Sequence, residues 1–170
     1  MKLEKCIRAI PDFPKAGILF RDITTLLNNK KAFKKVINDF AKLLKGKEIE
    51  YIVAAESRGF IFAGALAYKL GCGFVPVRKP GKLPHKIHSH TYSLEYGKDS
   101  LEIHQDAFPP HSKVLILDDL LATGGTAMAL ISLAKKLEGD IVAVAFLIEL
   151  TGLNGKDKLK EYPVYSLIKF

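Results

Sequence analysis

Three stretches of this chain run apolar without polar alternation: YIVAA at 51–55, KVLIL at 113–117 and IVAVAFLI at 141–148. A strand with one wet face alternates apolar and polar side chains, so such runs belong in a sheet covered on both faces. Helical period fills the gaps between them. Over 30–44, Phe33, Val36, Ile37, Phe40, Leu43 and Leu44 share one stripe, and Gly46 is placed to end the helix. An alanine-rich apolar helix over 60–70 is broken by Gly71-Cys72-Gly73. A third, over 126–137, turns Ala127, Leu130, Ile131, Ala134 and Leu137 inward. Short strands at 74–77 and 164–168 complete the alternation, with Pro76 pointing to an edge or a strand end because it has no N–H to give. The pattern predicts a single α/β domain over 1–170, with a mostly parallel central sheet flanked by helices. Ligands of such sheets bind beyond the carboxyl ends of the strands.

The rest of the chain limits its partners. RKPGKLPHKIHS at 78–89 has no apolar period and reads as a long exposed loop. A hairpin follows, with strands at 91–96 and 100–104 around Gly97-Lys98-Asp99. His85, His88 and His90 are irregularly spaced with no cysteine or acidic cluster beside them, so they form no metal site. The net charge of +8 attracts anions in general. Much of it sits on Lys30, Lys31, Lys34, Lys35 and Lys42, a solvated helix face, and no nucleic-acid motif accompanies it. No window approaches the ~18 apolar residues of a membrane span. MKLEKCIRAIPDFP lacks a signal core and reads as part of the fold. Cys6 and Cys72 read as two reduced thiols, which places the chain in the cytoplasm.

The chemistry concentrates in KVLILDDLLATGGTAM at 113–128, where an apolar strand runs into two carboxylates and then a glycine turn. Thr123-Gly124-Gly125-Thr126 suits the passage from strand to helix, where free amides and close backbone approach favour a phosphate. It is neither the dinucleotide fingerprint nor a P-loop. Asp118 and Asp119 repel each other. They serve as cap and solvated charge, lie near a metal or a developing positive charge, or accept hydrogen bonds from vicinal hydroxyls. A ligand with a phosphate beside a ribose diol would use both halves of the stretch.

VLILDDLLATGGTA resembles the phosphoribosyl-diphosphate motif of the type I phosphoribosyltransferases, and its LLATGGT form resembles the adenine-specific branch. PDFPKAGILFRDITTLL, ESRGF, RKPGKLP, YSLEYG and FLIELTGLNG resemble that branch's other segments in the same order, so the resemblance covers almost the whole chain. It implies that family's fold, with a small hood and a flexible catalytic loop. It implies transfer of ribose 5-phosphate from phosphoribosyl diphosphate to N9 of adenine, giving AMP and diphosphate in purine salvage. Mg2+ held mainly through the diphosphate, and a homodimer, are implied with it.

The same resemblance assigns residues. Ala122, Thr123, Gly124, Gly125 and Thr126 would hold the 5-phosphate, while Asp118 and Asp119 would bond the ribose hydroxyls and face an oxocarbenium-like transition state. Asp119 is expected to be solvent-accessible. Ser57, Arg58 and Gly59 would bind diphosphate at a turn with a non-proline cis peptide. Arg78, Lys79 and Lys82 would reach the same group, with Pro80 where many members carry another basic residue. Glu95 would handle the purine proton, and Tyr96 would belong to the lid that excludes water. Ile18, Leu19, Phe20 and Arg21 would clamp adenine from one side, reading it through their backbone, and Leu150 would cover the other. Two other functions compete: transfer to a 6-oxopurine, and a regulatory protein that senses phosphoribosyl diphosphate.

Overall fold

The computed structural model describes residues 1–94 and 97–170. In chain order its elements are β1 (Arg8–Ile10), β2 (Phe20–Asp22), α1 (Thr24–Leu27), α2 (Lys30–Leu43), β3 (Tyr51–Ala55), α3 (Arg58–Leu70) and β4 (Gly73–Val77). There follow β5 (Ile87–Leu94), β6 (Gly97–His104), β7 (Lys113–Leu121), α4 (Gly125–Lys136), β8 (Asp140–Glu149) and β9 (Val164–Lys169). Five strands form one parallel sheet in the order β4-β3-β7-β8-β9. β1 pairs antiparallel with β2, and β5 with β6.

The unalternating runs are explained by burial on both faces. Along β3, Ile52 and Ala54 pack with Val36, Phe40 and Phe62 on the side of α2 and α3. Val53 and Ala55 go the other way, among Ala127, Leu130 and Leu133 of α4. Phe40, Phe62 and Phe146 are fully buried, each contributing about 1.5–3 kcal/mol of hydrophobic stabilisation. Asn29 starts α2 by accepting the N–H groups of Lys31 and Ala32, both at 3.1 Å. Pro76 lies on the edge strand, where its missing N–H breaks no ladder.

Several expectations are corrected. The loop expected over 78–89 ends earlier, because β5 begins at Ile87. His88 and His90 therefore sit on a strand, opposite Ile103 and Leu101. The hairpin does not turn at Gly97-Lys98-Asp99, since all three already belong to β6 and pair with β5. Leu101 and Ile103 decide that register by burying against α4. β7 does not end at Leu117; it runs through both aspartates to Leu121, held by pairing with β8 out to Glu149. β1 and β2 were not foreseen, being three residues each and without apolar alternation.

This topology defines the place of the site. From β3 the chain crosses through α3 to β4 on one side, and from β7 through α4 to β8 on the other. The order reverses between β3 and β7, and the crevice beyond their carboxyl ends is where an open α/β sheet takes its ligand. Glu56, Ser57 and Arg58 leave β3 there, and Asp118 to Leu121 end β7 there.

Candidate active site

A cavity of about 440 Å³, a size suited to a small ligand, opens at that reversal point. Its floor carries Asp118, Asp119 and Leu120 from β7 and Ala55, Glu56, Ser57 and Arg58 from the end of β3. Ile18, Leu19, Phe20 and Arg21 form one wall, with Leu150 after β8. Lys79, Tyr92, Asp99, Leu101 and Thr126 close the other side. A second hollow of about 140 Å³ shares Leu120 and Thr126 with it and is lined by Ala122, Thr123, Gly124 and Gly125. Thus the polar turn, the carboxylates and an apolar slot meet in one crevice.

The carboxylates are not equivalent. Asp119, expected to be accessible, is only 7% exposed and forms an ion pair with Arg58. Its partner Arg58 is the first residue of α3. Asp118 Oδ1 accepts the N–H of Asp119 at 2.8 Å. Burial and the neighbouring Asp119 charge push the Asp118 carboxyl well above the ordinary carboxylate range. Gly59 permits this arrangement, since a Cβ on it would stand 2.9 Å from Asp118 Oδ1. The Glu56–Ser57 peptide is cis, within the turn where the resemblance implied such a bond.

The anion turn is built by close approach of three segments. Gly124 has φ +82°, a conformation glycine adopts freely, and α4 starts immediately after it. Gly155 packs against it so tightly that a Cβ there would come within 2.1 Å of Ala122 O. From above, the hairpin lies over Gly125, whose added Cβ would meet Ser93 O at 3.3 Å. Tyr92 Oη stands 3.5 Å from both Thr126 Oγ1 and Asp99 Oδ2.

The cations divide. Arg58 and Lys79 line the cavity, and Lys79 Nζ pairs with Asp99. Arg78 and Lys82 do not line it. Arg78 Nε instead lies 3.2 Å from Glu56 Oε1. On the apolar wall, the Phe13 ring meets Phe20 edge-on at 5.1 Å, and the Arg58 guanidinium lies 5.4 Å from the Phe20 ring centre. The Arg21 guanidinium stacks 3.7 Å from the ring of Phe170. Glu95 and Tyr96 lie outside the described residues. No group of three or more His, Cys, Asp or Glu that could hold a metal occurs among the described residues.

Sequence reasoning missed Glu56, Tyr92, Asp99, Leu101, Leu120 and Gly155. Asn154-Gly155 is a turn signal in itself, but that it braces a turn thirty residues earlier is a tertiary fact.

A glycine turn, two adjacent carboxylates and the cations Arg58 and Lys79 thus border adjoining hollows. Residues 22–169 match the phosphoribosyl transferase domain family. The adenine phosphoribosyltransferase of Brachyspira hyodysenteriae is 57% identical over 170 residues that span both chains fully. The enzyme of that name from Acaryochloris marina is 56% identical over the same span. The crystal structure of adenine phosphoribosyltransferase from Thermoanaerobacter pseudethanolicus superimposes with a TM-score of 0.96 at 54% identity, covering 99% of this chain and 98% of that one. The Saccharomyces cerevisiae enzyme, complexed with an imino-altritol bisphosphate and adenine, gives a TM-score of 0.92 at 43% identity, covering 97% and 96%. The chain belongs to the adenine phosphoribosyltransferase family.

Proposed function

We infer that this protein transfers ribose 5-phosphate from phosphoribosyl diphosphate to adenine, releasing AMP and diphosphate. The observation that carries the reading is the convergence of Asp118, Asp119, Arg58 and the Ala122–Gly125 hollow on one crevice walled by Phe20 and Leu150. In this reading the bond from ribose C1′ to diphosphate breaks with its electron pair leaving on the diphosphate. Adenine N9 then bonds to C1′ and gives up its proton. Positive charge develops at C1′, and the carboxylate of Asp119, held by Arg58, is already placed when it appears, which is the condition for electrostatic stabilisation, while Asp118 beside it bonds the ribose hydroxyls.

The remaining roles follow the site's division. The backbone N–H groups and hydroxyls of Thr123, Gly124, Gly125 and Thr126, with Ala122, hold the 5-phosphate. Ser57, Arg58, Gly59 and Lys79 serve the diphosphate, and Arg78 and Lys82 support the loop that carries Lys79. Phe20 and Leu150 hold the adenine ring between them, while Ile18, Leu19 and Arg21 read its edge through their backbone. Glu95 takes the N9 proton and Tyr96 closes the lid, both carried from the resemblance. Mg2+ fits this site as an ion borne by the substrate, since of the four carboxylates lining the cavity Glu56, Asp99 and Asp119 are already paired with Arg78, Lys79 and Arg58. When bound it would offset the charge of the diphosphate, and Asp118 and Asp119 would be the residues to hold it or the hydroxyls it meets.

One domain over 1–170 carries the whole activity in this reading. A homodimer is supported by the outer face of α3 beside the edge strand, where Ile61 is 40% and Tyr68 is 92% exposed. Light scattering of the purified chain tests it. Unpaired Cys6 and Cys72 support a cytoplasmic setting, and no helix among the described residues is long and apolar enough to cross a membrane.

The test is to incubate the protein with phosphoribosyl diphosphate, Mg2+ and one of adenine, hypoxanthine, guanine or xanthine. AMP from adenine alone is expected. Nucleotide from an oxopurine would overturn the adenine wall, and binding of the sugar diphosphate without product would make the protein a sensor.

A further inference from the structure

Lys79 stands on a loop that has no sheet to hold it, yet its ammonium faces the cavity. β4 ends at Val77, and Arg78 is fixed by a bridge to Glu102, donating its N–H at 3.0 Å and accepting one at 2.8 Å. Beyond Arg78 the backbone leaves the sheet. The N–H of Lys79 then goes to a side chain, Glu56 Oε1, at 2.5 Å, and the same oxygen accepts Arg78 Nε at 3.2 Å. Farther along, Glu102 Oε2 accepts the N–H of Gly81 at 3.0 Å. Glu56 is itself well placed: its own N–H donates to Val77 O at 3.0 Å, extending the β3–β4 ladder by one step.

A carboxylate lining a site for a polyanion repels its ligand unless its charge is committed elsewhere. Glu56 is so committed. The Lys79 N–H, opposed by burial and joined by Arg78, holds its carboxyl below the usual range, so it stays ionised and paired. Nothing in the proposed chemistry uses it directly.

We propose that Glu56 is a positioning residue, one that fixes the Lys79 backbone where β4 has ended and thereby sets its ammonium at the diphosphate end of the cavity. The proposal rests on the diphosphate role given to Lys79 above. It joins the turn at 56–59 to the loop at 78–82 through one oxygen. The two groups serving the diphosphate, Arg58 and Lys79, are thus held in register by the residue between β3 and α3. The far end of Lys79 is set by Asp99, whose carboxylate pairs directly with its ammonium.

The test is a double-mutant cycle on the whole enzyme, measuring KM for each substrate at saturation of the other. Glu56→Ala removes the acceptor of both the Lys79 N–H and Arg78 Nε and is expected to raise KM for phosphoribosyl diphosphate about tenfold, the worth of the charge-assisted bond to the Lys79 N–H, with KM for adenine within about twofold. Glu56→Gln keeps an oxygen for the Lys79 N–H and is expected to recover most of that loss, and it also answers the case in which Glu56→Ala folds poorly. In a Lys79→Ala background, Glu56→Ala is expected to add less than about twofold, because its effect runs through the ammonium. An equal rise in both KM values, an undiminished effect in the Lys79→Ala background, or a Glu56→Gln variant as impaired as Glu56→Ala would each overturn the role of Glu56 alone. Unchanged KM for phosphoribosyl diphosphate in Lys79→Ala itself would instead sink the diphosphate assignment, and the proposal with it.

Discussion

Gly155 gives the sharpest test of how the anion turn is held. A Cβ at this position would stand 2.1 Å from Ala122 O, 2.9 Å from Gly124 N and 3.0 Å from Ala122 C, where ordinary contact begins at 3.4 Å. All three atoms are backbone, so no side chain can swing aside. The φ of Gly155 lies outside the left-handed region, which leaves the contact alone to produce the effect. Gly155→Ala must therefore part the two segments by about 1 Å, and a displacement of that size at a substrate-holding group lowers rate by about 10²-fold. Overpacking of this kind costs about 1–3 kcal/mol. For a chain of this size that lowers the melting midpoint by roughly 2–4 °C per kcal/mol. The assay is kcat/KM for phosphoribosyl diphosphate at saturating adenine, together with a thermal melt. Gly152→Ala is the control, since a Cβ there meets nothing within 4 Å. A Gly155→Ala enzyme with wild-type kcat/KM and midpoint would refute the reasoning, because the loop would have given way without moving the turn.

Two further outcomes follow from the carboxylates. Burial and Asp119 raise the Asp118 carboxyl, so the folded protein holds this proton more tightly than the unfolded chain, whose value is near 3.8. Wild type should therefore lose stability relative to Asp118→Asn as pH rises from about 3.8 through the raised folded value. Parallel melting curves across that window would contradict the burial of an uncompensated charge. Asp119→Asn leaves the Arg58 guanidinium without its counter-charge. It should lower kcat about 10²-fold, by analogy with loss of one electrostatic donor, and weaken the fold as well, because Asp119 is buried. Wild-type turnover in that variant would remove Asp119 from the transition state.

Much of the architecture was legible because burial leaves a periodic trace. The runs at 51–55 and 141–148 read as strands covered on both faces and the stripe from Phe33 to Phe40 as one helix face, and each is buried that way. The ends of elements were less legible. β7 continues through Asp118 and Asp119 because β8 pairs with it there, although two adjacent carboxylates look locally like the start of a loop. β5 starts at Ile87, inside a stretch rich in lysine and proline, because its partner β6 is anchored by Leu101 and Ile103. In both cases a neighbouring strand overrode the local signal.

The site divides in the same way. Groups contiguous in sequence, the two aspartates and the TGGT turn, made a phosphate beside a diol one reading of their own chemistry. The family's other motifs were readable as segments, without the distances between them. That Asp119 is buried against Arg58, that Asp118 carries a raised carboxyl, that Glu56 holds the Lys79 backbone and that Gly155 braces Gly124 were decided only when distant segments met. Sequence determines what a residue can donate, accept or bury, because that is a property of the side chain. Which partner satisfies it, and at what desolvation, depends on segments tens of residues away, and only the folded chain brings those together.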